Sequence, residues 1–225
     1  MSKRNIIRVV ATICGLGGVV IIGWVFYPII SYQITSPTLM TFLSPLPADA
    51  SNSNDTSTNS NVDYTKANTW FPQAKANSDF NKPPTVGFYN LSIPRLGITN
   101  AKVAIGGEDL TQSLVQYPGT ALPGQIGNAV IFGHSVLPSF YNPTNYLTIF
   151  STLPTLGQGD AINISYDGIT YKYQVEDKFE VEPTDTEILN QDDSDSFLSL
   201  VTCVPPGLQT RRLIIKARII PVRST

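Results

Sequence analysis

The chain has 225 residues, of which 14% are charged, and a formal net charge of −2. That balance offers no basic face or stripe to a phosphate backbone, which excludes nucleic acid as the partner. At 42% hydrophobic and 10% aromatic residues, it carries enough apolar surface for one core of ordinary domain size once the N-terminal segment is set aside.

In chain order, the first predicted element is a transmembrane helix. Val9 to Ile30 is a run of 22 residues without a charge, and about 20 apolar residues in a helix cross the ~30 Å hydrocarbon core. Lys3, Arg4 and Arg8 precede it, and the next basic residue is Lys66. The positive-inside bias therefore places residues 1–8 in the cytoplasm and the rest of a single-pass protein outside the cell. Ala48-Asp-Ala50 resembles a signal-peptide cleavage site, but the apolar run is too long for such a peptide and ends 18 positions earlier. Cys14 lies within the run and reads as a small apolar helix residue.

Residues 31–82 read as a flexible extracytoplasmic linker. Ser51-Asn-Ser-Asn-Asp-Thr-Ser-Thr-Asn-Ser-Asn61 cannot bury enough apolar surface to offset its ordering entropy. Within the linker, Asn68-Thr-Trp70-Phe71-Pro72 is oddly aromatic: it reads either as a strap packed on the following domain or, more sharply, as a lid over a functional site. After Pro83-Pro84 the pattern becomes short β-like runs broken by Gly, Pro and Asn, over a domain of residues 83–222. The predicted strands are Leu91 to Ile98, Lys102 to Ile105, Asn128 to His134, Ala161 to Tyr166, Ile169 to Val181, Phe197 to Cys203 and Arg212 to Ile220. Asp167-Gly168 between two alternating runs is a strong hairpin signal. Helical insertions are expected near Leu110 to Val115 and Tyr146 to Leu153, with a helical turn near Thr184 to Leu189. Many short strands with such spacing predict a mainly β domain, closed as a barrel or packed as a sandwich.

Chemistry concentrates in three residues. His134 is the chain's single histidine, Cys203 its single cysteine outside the apolar run, and both stand at the ends of predicted strands. A thiol becomes a useful nucleophile when a base or a cation favours its thiolate. Alone, each of the two reads as ordinary structure, the histidine hydrogen-bonded and the thiol inert in packing. Pro205-Pro206-Gly207 then leads to Arg211 and Arg212. Alternation along the last strand puts Leu213, Ile215, Ala217 and Ile219 on one apolar face, taken as the barrel interior. Arg212, Ile214, Lys216 and Arg218 face the other way, so a groove on the outer wall would take Arg212 rather than Arg211.

Three strings carry a resemblance: Gly119-Thr-Ala-Leu-Pro-Gly-Gln-Ile-Gly-Asn-Ala-Val-Ile-Phe-Gly-His134-Ser135, Ser199-Leu-Val-Thr-Cys203, and Arg212-Leu-Ile-Ile-Lys-Ala217. In this order, behind a membrane anchor, they resemble the sortases, cysteine transpeptidases of bacterial surfaces. One departure is Ser199 where the family usually has threonine; the hydroxyl is kept. The resemblance implies a closed sortase-type β-barrel with His134, Cys203 and Arg212 as catalytic residues. Ser135, Thr202, Val204 and Ile214 beside them are the candidate substrate contacts. It further implies that secreted proteins with a C-terminal Leu-Pro-x-Thr-Gly-like sorting signal are cleaved and joined to an amine, on a cell wall precursor or a pilin lysine. A thiol hydrolase using water as acceptor, and a non-catalytic tethered binding module, are the alternatives. No cofactor is expected. One histidine and one cysteine are too few soft ligands for structural zinc; Asp192, Asp193 and Asp195, with Glu108 and Asp109 elsewhere, could supply oxygens to calcium, although a solvated loop is the simpler reading.

Overall fold

The computed structural model describes residues 12–27, 63, 65–71, 87–192, 194–206 and 209–221. The chain divides into two units, Met1–Asn52 and Ser53–Thr225. In the first, residues 12–27 form an α-helix whose large apolar side chains, from Ile13 to Tyr27, are exposed. It is shorter than the expected span of residues 9–30, whose remaining positions lie outside the described residues. Among the described residues no helix is long and apolar enough to cross a membrane.

In the second unit, eight strands close a barrel: β1 (Phe88–Ile93), β2 (Ile98–Ile105), β3 (Leu114–Gln116), β4 (Gly127–Phe132), β5 (Ala161–Tyr166), β6 (Ile169–Val181), β7 (Ser196–Val204) and β8 (Arg211–Ile219). Their order around the barrel is β1-β2-β3-β4-β7-β8-β6-β5. The β2–β3 and β4–β7 pairs are parallel, and the other pairs are antiparallel. The expected β5–β6 hairpin turns on Asp167 and Gly168, with φ of 50° and 75°, the positive pair that a tight turn of this hand demands.

Three expectations need correction. The run Leu91 to Ile98 is not one strand, because Pro94 opens a 3₁₀ turn (Pro94–Leu96) capped by left-handed Gly97. No helix forms over residues 110–115: residues 110–113 turn, and Leu114–Gln116 becomes β3, bridging β2 and β4. Residues 146–152 form turns that lead into a 3₁₀ helix at Leu153–Thr155, while the expected turn near residue 189 is a 3₁₀ helix at Glu187–Leu189.

Side chains alternate across the β4–β7–β8–β6 wall, with one irregularity in β6 between Val175 and Asp177. Ile131, Leu200 and Ile215 belong to the inner layer, and Leu200 opposes Ile215. On the outer face, Phe132, Val201, Ile214 and Phe179 form one row. This outer face is itself apolar: Val115, Val130, Phe132, Val181, Val201, Cys203 and Ile214 cluster there with Ala67, Trp70, Phe71, Leu110 and Ile188. The barrel thus has two hydrophobic layers, one sealed by closure and one covered by segments laid over the wall.

Where the outer row ends, Gly133 packs so tightly that a Cβ on it would stand 2.5 Å from the Phe150 ring and 2.6 Å from Leu114. Gly133→Ala should therefore destabilise the domain by about 1–3 kcal/mol, seen as a lowered thermal midpoint; an unchanged midpoint would show that Phe150 moves aside freely.

Candidate active site

Cys203 and Arg212 are directly opposed in the β7–β8 ladder, and Arg212 in turn opposes Val181 of β6. Opposed residues share a face of the sheet, so both side chains lie on the outer wall. His134 stands two positions beyond β4, and the segment that carries it is stitched to β7 past the end of the regular ladder. Gly133 N donates to Val201 O at 3.1 Å, Thr202 Oγ1 donates to Gly133 O at 2.8 Å, and Ser135 Oγ donates to Cys203 O at 2.6 Å. His134 is thereby fixed beside Cys203 through bonds on either side of it.

The expected substrate contacts separate on this geometry. Thr202 and Val204 are fully buried and share the parity opposite to Cys203, Thr202 opposing Leu213 and Val204 opposing Arg211. Thr202 and Ser135 spend their hydroxyls as braces between the His134 and Cys203 segments rather than facing a ligand. Ile214 alone of the four is on the outer wall, in the row next to Cys203. The two arginines also separate. Arg211 is exposed and lies 3.5 Å from Glu180 and 3.8 Å from Glu182, whereas Arg212 is 1% exposed.

Residues 65–71, placed by sequence in the linker, are packed onto this site. The strap docks through backbone bonds with the β2–β3 connection: Ala67 N donates to Glu108 O at 3.0 Å and Leu110 N to Thr65 O at 2.9 Å. Trp70 is fully buried, with its ring 5.4 Å from Phe132, 5.7 Å from His134 and 5.4 Å from the Arg212 guanidinium carbon. Its carbonyl accepts a bond from Arg212 Nη2 at 3.3 Å, while Arg212 Nη1 donates to Gln209 O and Arg211 O at 3.1 and 3.3 Å. Of the two readings of the aromatic motif, the packing shows the strap, and it lies next to His134 and Arg212.

Two buried polar atoms at this place have no partner, Arg212 Nε and His134 Nε2. Buried polar groups are nearly always satisfied, and here an unpartnered donor and an unpartnered ring nitrogen lie close to the Trp70 ring. Burial pushes the Cys203 thiol up to about 11 against the opposing pull of Arg212. Burial also holds His134 below its ordinary value, opposed by the carboxylates of Asp109 and Asp63. Under cover, thiol and imidazole are both neutral at pH 7.

The acidic residues that suggested calcium accept hydrogen bonds from neighbours in their own loops. Asp192 accepts from Ser194 N, Asp195 accepts from Ser196 N and faces Arg218, and Asp109 accepts from Thr111 and Gln112. Among the described residues no group of three or more His, Cys, Asp or Glu could hold a metal; Asp193 lies outside them.

Beyond Ile214, the outer wall continues into a cavity of about 290 Å³. Val181, Phe179 and Ile214 line its end nearest Cys203, Asn128, Ser199 and Lys216 its far end, and the β6–β7 connection its side. Neither this connecting wall nor the bracing hydroxyls announce themselves in sequence, since both depend on partners about 60 to 70 residues away.

A thiol, an imidazole and a guanidinium are thus brought together on one apolar wall of a closed barrel, with a cavity beyond Ile214. The sortase domain family model matches residues 91–220, and the chain belongs to the sortase family, whose members are cysteine transpeptidases. It is 23% identical to a sortase A of Bacillus anthracis, over all of this chain and 99% of that one. Among solved structures it is similar to a Clostridium perfringens sortase D5 transpeptidase (29% identity, TM-score 0.52, 60% of this chain and 79% of that one). It also resembles sortase C-1 of Actinomyces oris (25%, 0.56, 68% and 88%) and a lid mutant of sortase A from Corynebacterium diphtheriae (28%, 0.53, 63% and 74%).

Removing the cover should change the thiol. In a Cys14→Ser background, Cys203 of the otherwise unaltered protein should alkylate slowly at pH 7–8, with a rate that climbs toward pH 11. Trp70→Ala readmits water and relieves the desolvation, and each unit by which the thiol pKa falls raises the thiolate fraction about tenfold at neutral pH. Alkylation by iodoacetamide should accelerate at least ~10-fold, with its pH profile displaced downward; equal rates and profiles would show that Trp70 does not control access.

Proposed function

We propose that this chain is a membrane-tethered transpeptidase that cleaves a Leu-Pro-x-Thr-Gly-like sorting signal of secreted proteins and joins them to an amine. The observation that carries the reading is the cross-strand opposition of Cys203 and Arg212 on an apolar outer wall, with His134 braced alongside. Cys203 passes its thiol proton to His134 as its sulfur attacks the scissile carbonyl, and a thioester forms as the C–N bond breaks. Arg212, whose Nε is unpartnered, donates to the oxygen as negative charge develops there. His134 delivers a proton to the departing amine, then takes one from the incoming amine as it attacks the thioester and restores the thiol. The acceptor is an amine of a cell wall precursor or a pilin lysine. Ile214 and the cavity beyond it supply the surface for the signal's apolar residues.

The strap acts as a lid in this reading: Trp70 must leave before a substrate carbonyl can take the place of its own at Arg212. A lid variant is among the matched sortases, which supports the same role here. Residues 9–30 form the anchor, supported by the exposed apolar side chains of the 12–27 helix, with residues 1–8 in the cytoplasm and the barrel outside the cell. Protease added to intact cells stripped of their wall should release the barrel by cutting near residues 51–61; a protected barrel would reverse the topology.

Turnover of a fluorogenic Leu-Pro-x-Thr-Gly peptide with an added amine tests the chemistry. Cys203→Ala and His134→Ala should abolish product. Arg212→Ala should lose ~100- to 1000-fold in rate, and Arg212→Lys should recover little of it because a point charge lacks the guanidinium's fork. Arg211→Ala, at equal thermal stability, should stay within a few-fold of the unaltered protein. Full turnover in Cys203→Ala would end the assignment, and product carrying water in place of the amine would make the enzyme a hydrolase.

A further inference from the structure

The β6–β7 connection, residues 182–195, forms the side of the substrate cavity, yet within the described part only its 3₁₀ turn at Glu187–Leu189 is regular. Its placement rests on two side-chain amides that reach into each other's backbones. From the connection, Gln191 Oε1 accepts from Ala121 N at 3.1 Å and Asn128 N at 3.0 Å. Gln191 Nε2 donates to Asn128 O at 3.2 Å and to Leu189 O at 3.0 Å. From the first turn of β4, Asn128 Nδ2 donates to Ile188 O at 2.9 Å, and Asn128 Oδ1 accepts from Ser199 Oγ at 2.9 Å. Each amide uses its donor and its acceptor, and together they hold the carbonyls of Ile188 and Leu189 against β4.

Two further observations bear on this contact. A Cβ at Gly127 would stand 2.8 Å from Gln191 Oε1, so the glycine's bare backbone is what lets the amide approach β4. Ile188, whose carbonyl Asn128 holds, is buried in the same cluster as Cys203, Val201 and Ile214. The latch therefore sets where an apolar side chain of the cavity wall sits relative to the nucleophile's strand. Gln191 itself is exposed, and a bond reachable by water opens at modest cost.

We infer that Gln191 is a positioning residue for substrate recognition: its amide, with Asn128, keeps the β6–β7 connection in the arrangement that receives the sorting signal, by clamping it to β4. The inference rests on the transpeptidase reading for the identity of the substrate, but not for the latch itself. If the wall is competent only while latched, the apparent affinity falls by the fraction of molecules that remain latched. Bound peptide re-forms the wall, so the chemical step is spared.

The test uses the full chain and Gln191→Met, which keeps the side chain's length and loses all four bonds. With a Leu-Pro-x-Thr-Gly peptide, KM should rise about tenfold while kcat changes less than about twofold. Gln191→Glu, which keeps the acceptor for the two N–H groups and loses the donor, should fall between. In parallel, amide hydrogen exchange should show lost protection at Asn128, whose N–H bonds Gln191 Oε1, in Gln191→Met, while Ala121, whose N–H also donates to Asn128 O, changes less and β7 and β8 stay unchanged. A kcat loss at constant KM, an unaltered KM, or unchanged protection at Asn128 overturns the inference. If the unaltered protein turns over no sorting-signal peptide, the transpeptidase reading fails. The latch then stands or falls on exchange at Asn128 alone.

Discussion

The site depends on one register, that of β7 against β8. Side chains alternate with a period of two, so a slip by one residue would turn Cys203 and Arg212 into opposite faces and leave a cation in the barrel core. Long ladders on both flanks of β8 resist that slip, from Val204–Arg211 to Phe197–Arg218 on one side and down to Tyr173–Ile219 on the other. The price is a guanidinium buried to 1% exposure. Among the described residues no carboxylate pairs with it; carbonyl oxygens of Gln209, Arg211 and Trp70 receive its N–H groups instead. A carboxylate there would stabilise the ion more strongly and would also cancel the charge that a developing oxyanion needs. Carbonyl dipoles are the weaker partners, and one of the three belongs to the strap.

Cover and nucleophile are coupled through water. Desolvation and Arg212 pull the Cys203 thiol in opposite directions, and desolvation wins while Trp70 is seated. The same burial keeps the imidazole neutral against two carboxylates, Asp109 on the connection that receives the strap and Asp63 two residues before the strap begins. Two neutral groups under an aromatic cover are poor targets for oxidants and stray electrophiles. The opposing influence of Arg212 is already in place, so lifting the cover changes the balance without rebuilding the wall.

Features with local causes were legible in the sequence. The β5–β6 hairpin follows from Asp167-Gly168, the parity of β8 from its alternating Leu213, Ile215 and Ala217, and the continuous burial of β4 and β7 from apolar residues on both parities. β3 was not legible because its three residues become a strand only when β2 and β4 offer edges on either side; Leu-Val preceded by Thr-Gln-Ser has no strand signature of its own. The strap showed its aromatic pair but not its seat, since Glu108 and Arg212, which fix it, are about 40 and 140 residues away. The candidate contacts at Ser135 and Thr202 were chosen for nearness in sequence to His134 and Cys203, yet their hydroxyls are drawn to carbonyls of the adjoining segment. A neighbour of a reactive residue on a strand points away from it, and in a barrel that means into the core.

The second hydrophobic layer ties these points together. A barrel that only had to fold could dress its outer wall in polar residues, because closure alone satisfies the inner layer. Here Val130, Phe132, Val201, Ile214 and Val181 make the outer wall apolar as well, and such a surface carries a standing cost unless something covers it. The strap covers one part with Trp70 and Phe71, each worth about 1.5–3 kcal/mol in burial, and Ile188 of the β6–β7 connection covers another. A ligand that displaces the strap must therefore return comparable apolar area to the same wall, which selects for an extended chain with apolar residues next to its reacting carbonyl. Farther along the wall, Ser199 and Lys216 replace the apolar rows, so the gain per residue falls with distance from Cys203. In the proposed reading the apolar contact is therefore richest beside Cys203, on the face of the sheet that closure of the barrel leaves open.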